Sequence, residues 1–147
     1  MEKIKEFKSE ETFAIRNYEV GHSQLLLRNW SDEEKIDLLF TEVFYIELPL
    51  NLKGIIISPA TQEEIYRVES RVFHPLRENR KVYVIASSGE RYFVGAVGLD
   101  VSQYIYQPVG NAIPLGARIA TSNPGSGLYR EGNLNRVILA SYRISFD

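Results

Sequence analysis

Residues 61–81 carry apolar side chains at helical spacing, whereas almost everything around them alternates with the two-residue period of strands. A chain with one helix and many strands must lay that helix on a sheet, because a single amphipathic helix has no other apolar face to cover. Ile65, Val68 and Val72, with Leu76 four residues further on, form the apolar stripe, and Glu63, Glu64, Arg67 and Arg71 take the other side. Two starts are available. Ser58 and Pro59 offer a cap followed by a pre-set first turn, and Thr61 with Glu64 three residues later has the form of a capping box. Pro75 disfavours helical geometry at His74, so the helix is expected over about residues 60–73.

The strands are read from alternation and punctuation. Residues 12–30 form a hairpin turning at Val20, Gly21 and His22; the apolar phase shifts near Asn17, which predicts a bulge. Leu25, Leu26 and Leu27 are apolar on both faces and place that strand inside the sheet. Ile36, Leu38 and Phe40 alternate, and Phe44, Ile46 and Leu48 continue the spacing to Pro49. Residues 51–54 read as a turn before the β-branched Ile55, Ile56 and Ile57. Residues 81–86 and 92–98 form a second hairpin, apolar on both faces and therefore expected at the centre, with Gly95 and Gly98 leaving room for close approach by the helix or a ligand. Over residues 99–135 the periodicity weakens and glycine and proline punctuation rises, which reads as loop, with short strands expected around Tyr104 and Tyr106 and over residues 117–120; residues 137–146 form a final strand.

These elements predict one α+β domain: a mainly antiparallel, twisted sheet of about six to eight strands with one main helix packed on it, or a partly closed barrel. The length of 147 residues supports one core without staples. Zero cysteines remove disulfides and thiolate chemistry. No apolar run approaches the ~20 residues of a membrane-spanning helix, and the lysine- and glutamate-rich first residues do not read as a secretory leader. A cytoplasmic protein without a cofactor is the expectation. The net charge of −2 supplies no bulk attraction to nucleic acid.

Charge is therefore of interest only locally. Arg67, Arg71, His74, Arg77, Arg80 and Lys81 cluster at the far end of the helix, where guanidinium groups can converge on phosphate or carboxylate. The competing reading is a solvated face in which these cations complement the helix dipole and pair with Glu69 and Glu78. The glycine-rich loop at residues 121–130 is the second candidate, with Gly125 and Gly127 exposing amides and Arg118 and Arg130 nearby; it lacks the lysine ending of a phosphate-binding loop. His22 and His74 have no companion at metal-ligand spacing, and no Gly-x-Ser-x-Gly elbow exists. Tyr104, Tyr106, Tyr129 and Tyr142 combine contact area with a polar tip, as protein contacts do. The chain thus reads first as a non-catalytic module that binds another protein or itself through sheet edges and tyrosines. Second comes a binder of a small anion, or a ligand-dependent enzyme, using Arg67, Arg71, His74, Arg77, Arg118, Gly125, Gly127 and Arg130. Nucleic-acid binding ranks last.

Overall fold

The period-2 segments assemble into a single sheet of ten strands, seen in a computed structural model that describes residues 2–73, 78–108 and 134–146. The elements are β1 (Glu2–Ile4), β2 (Phe7–Glu19), β3 (Gln24–Asn29), β4 (Glu34–Thr41), β5 (Tyr45–Glu47), β6 (Asn51–Pro59), α1 (Gln62–Glu69), β7 (Lys81–Ser87), β8 (Glu90–Ala96), β9 (Gly98–Pro108) and β10 (Leu134–Ile144). The strand order is β1-β10-β9-β4-β3-β2-β6-β7-β8-β5, antiparallel throughout except for the β1–β10 pair. The sheet rolls on itself: the Tyr83 ring of β7 meets Phe40 of β4 at 5.5 Å and Phe146, beyond β10, at 5.1 Å. The ladder does not close, because β1 and β5 end it, so the barrel reading gives way to an open, rolled sheet. Phe13, Leu27, Leu38, Phe40, Ile57, Ile85 and Val101 fill its interior.

The helix lies on the outer face of the β7–β8 end. Val68 is fully buried against Val82, Val84 and Phe93, a burial that stabilises by about 1.5–3 kcal/mol. This explains the apolar character of both faces of β7: Val82 and Val84 face the helix while Tyr83 and Ile85 enter the main core. The β7–β8 hairpin is accordingly not central, as its two-faced pattern implied, but lies beside the short edge strand β5. Thr61 is the N-cap and its capping box with Glu64 is complete, whereas Ser58 and Pro59 belong to β6. The helix also stops four residues before Phe73. The Ser70 hydroxyl donates to the Arg67 carbonyl at 2.7 Å, and the Arg71 amide donates to the Val68 carbonyl at 3.0 Å, three residues back, which tightens the last turn.

Several strand expectations shift for local reasons. The β2 bulge lies between Ile15 and Asn17, where the alternation changes phase. Residues 36–48 do not form one strand: Glu42 takes a φ of 50°, and the chain leaves β4 to cross to β5 at the far edge. Residues 51–54 are strand rather than turn, because Gly54, at φ 68°, stands opposite an irregularity in β2 between Ser9 and Thr12. Tyr104 and Tyr106 lie in the long strand β9. In β10 a register shift between Ile138 and Ala140 leaves Ile138 and Leu139 exposed while Ile144 stays buried. The strand expected over residues 117–120 lies outside the described residues.

Candidate functional site

The basic helix end forms a side-chain lattice with the edge strand. Arg67 donates to both carboxylate oxygens of Glu47 at 3.0 and 3.1 Å, and its guanidinium lies 4.5 Å from the Phe93 ring centre. Arg71 donates to the Tyr45 hydroxyl at 3.0 Å and to Glu47 at 3.3 Å. Arg80 stacks over Phe44 at 4.9 Å. On the other flank, Arg91 pairs twice with Glu64 at 2.7 and 2.9 Å, and this hydrogen-bonded pairing holds the Glu64 carboxyl down at about 2. Arg67 and Arg71 are thus brought together, as their helical spacing predicts, on a carboxylate from β5 instead of the sequence neighbours Glu69 and Glu78. His74, Arg77, Arg118, Gly125, Gly127 and Arg130 lie outside the described residues, as does Tyr129.

Two concave features lie elsewhere, at the rim where β3 and β7 end and β6 and β8 begin. One cleft there, of about 470 Å³, is walled by Trp30, Pro49 and Tyr92, with Thr12, Asn51 and Ser88 supplying polar groups. A second cleft of about 360 Å³ adjoins it through shared Lys53, Ser87 and Ser88 and continues to Lys8, Glu10 and Gly89. Local sequence builds this rim. The irregularity in β2 opposite Gly54 opens the β2–β6 surface. Ser88 and Gly89 take φ of 50° and 81°, the paired left-handed residues that a two-residue hairpin turn needs. Trp30 follows β3, is held by its amide to the Thr12 carbonyl at 3.0 Å, and remains 62% exposed. An indole so exposed on a concave surface is the unusual observation, since large aromatics otherwise bury most of their area.

A third polar feature lies on the outer face of β3, β4 and β9. Arg28 donates to Asp37 through two nitrogens at 2.6 and 3.0 Å, and the buried Tyr104 hydroxyl donates to the same carboxylate at 3.1 Å. The Asp37 hydrogen bonds raise the Arg28 pKa further, and burial raises that of Tyr104. This network satisfies its own members, so its role is structural. It also removes Tyr104 from the surface. Tyr142, half-buried, accepts from Gln103 at 3.3 Å, which leaves Trp30 and Tyr92 as the aromatics of the rim.

Sequence reasoning missed Trp30, Tyr92, Lys8 and Lys53. The available signal was the lone tryptophan set between Arg28–Asn29 and Ser31–Asp32, outside any apolar alternation. Among the described residues no group of histidine, aspartate and glutamate side chains is arranged to hold a metal ion, and no helix is long and apolar enough to cross a membrane. No protein-family model matches the chain, and neither a curated protein nor a solved structure matches it.

Proposed function

We propose that this chain is a non-catalytic protein-interaction module whose rim cleft takes an extended segment of a partner protein. The observation that supports this reading is the exposed Trp30 walling a concave cleft with Pro49 and Tyr92. Aromatic-lined clefts of this kind suit proline-rich segments, which arrive already extended and lose little conformational entropy on docking. Asn51 and Ser88 stand beside the aromatic wall as hydrogen-bonding groups for the partner's carbonyls. The two adjoining clefts favour an elongated ligand over a compact one. Contact rests on the rim aromatics rather than on the sheet edges and tyrosines that the sequence suggests.

Trp30 is the single tryptophan of the chain, so its emission reports on the cleft and on nothing else. Titration with peptides from a displayed library of proline-containing segments is expected to shift that emission saturably. Trp30→Ala, followed by anisotropy of a labelled peptide, is expected to weaken binding about 30-fold, the loss typical of a central aromatic anchor. Peptides that bind without changing Trp30 emission, or that bind the Trp30→Ala protein equally well, would place the contact elsewhere. An emission change with oligosaccharides and none with peptides would replace the reading with a carbohydrate site.

A further inference from the structure

The smaller cleft has a chemistry unlike that of its neighbour. Lys8 and Lys53 are both exposed and both line it, against one carboxylate, Glu10. Neither lysine forms an ion pair within 4.0 Å among the described residues, whereas Arg28, Arg67, Arg71, Arg91 and Arg143 all do. The hairpin turn adds donors. Ser87 pairs with Glu90 in the ladder, so the amides of Ser88 and Gly89 fall in the turn, outside it. Backbone amides left free in a turn are donors that an anion can use. Two ammonium groups without an ion-pair partner among the described residues, and two turn amides, at one end of a groove whose other end is aromatic define a directional site.

We infer that the segment bound at the rim carries an anionic side chain, carboxylate or phosphate, on the flank that reaches Lys8, Lys53 and the Ser88–Gly89 turn. This inference rests on the proposed function and specifies its partner: an extended, proline-containing segment with an acidic or phosphorylated flank. Basic flanks are disfavoured by like charge, and lysine supplies point-charge attraction without demanding a bidentate geometry.

The test uses the full chain and three synthetic peptides that share one proline-rich core selected by Trp30 emission and differ in a flanking pair: aspartates, phosphoserines or lysines. The acidic or phosphorylated peptide is expected to bind about tenfold more tightly than the lysine peptide at low salt, with the advantage shrinking as salt is added. A preference for phosphoserine over aspartate identifies phosphate as the anion; equal affinity identifies a simple carboxylate. The double variant Lys8→Glu, Lys53→Glu is expected to abolish or reverse the preference, while Lys5→Glu, an exposed charge change outside the cleft, preserves it. All three sites are exposed, so folding is retained and is checked by circular dichroism. If all three peptides shift Trp30 emission with equal affinity, the anion inference is overturned while the aromatic cleft stands. If no proline-rich core shifts Trp30 emission in the selection, the proposed function falls and takes the inference with it.

Discussion

Among the described glycines, Gly95 has the least room for a side chain. A Cβ built there would lie 2.5 Å from Phe44 Cε2, 2.6 Å from Cζ and 3.0 Å from Cδ2, against an ordinary contact of 3.4–4 Å. The ring has little freedom to retreat. The Phe44 amide donates to the Gly95 carbonyl itself at 2.9 Å, and Arg80 covers the ring at 4.9 Å. The backbone of Gly95 is not left-handed, so alanine is conformationally allowed and removes unfolded-state entropy, a gain of about 0.4–1 kcal/mol. Overpacking opposes it by about 1–3 kcal/mol. The clash wins, and Gly95→Ala is expected to destabilise by about 1–2 kcal/mol, read as a lower urea midpoint with an unchanged slope. The decisive arm is the double-mutant cycle with Phe44→Ala. Once the ring is gone the same Gly95→Ala change becomes neutral or slightly stabilising, giving a coupling energy of about 2 kcal/mol. An equal cost in both backgrounds would refute the assignment of this glycine to Phe44.

The remaining expectations concern charge. Asp37→Asn leaves the largely buried Arg28 without its carboxylate and is expected to cost about 3 kcal/mol, while Arg28→Met with Asp37→Leu costs clearly less, both measured by chemical denaturation. Glu64, held at about 2 in the fold against an ordinary 4.5, contributes stability that is complete above pH 4.5 and lost as pH falls towards 2. Solvent screening limits that contribution to about 1 kcal/mol. Glu64→Gln keeps the capping box but not the ion pair with Arg91, so the stability gap between wild type and variant is expected to close over that pH range; a gap independent of pH would show that the pair contributes nothing.

How much of this was legible in the chain follows the range of the interactions. Thr61 and Glu64 announced the helix start because a capping box is settled within four residues. The phase slip at Asn17 announced the β2 bulge, and the Ser88–Gly89 turn, the final strand and the antiparallel character of the sheet were likewise carried by local alternation and by backbone freedom at glycine. The pairing of Arg67 and Arg71 with Glu47 was not legible, since it joins residues from a helix and an edge strand that chain order does not make neighbours. Nor was the position of β7 and β8, whose two apolar faces are satisfied as well by a covering helix as by a central place in the sheet. The rim cleft gathers Thr12, Trp30, Pro49 and the hairpin residues Ser88 and Tyr92 from four separate segments. Sequence alone determined most of the strands, the hairpin turns and the helix, because those choices depend on a few adjacent side chains, whereas residues 51–54 became strand only by pairing with the irregular stretch of β2. Only the rolling of the sheet decided where Trp30 would stand and what would face it, because concavity belongs to the packing of distant strands and to no local run of residues.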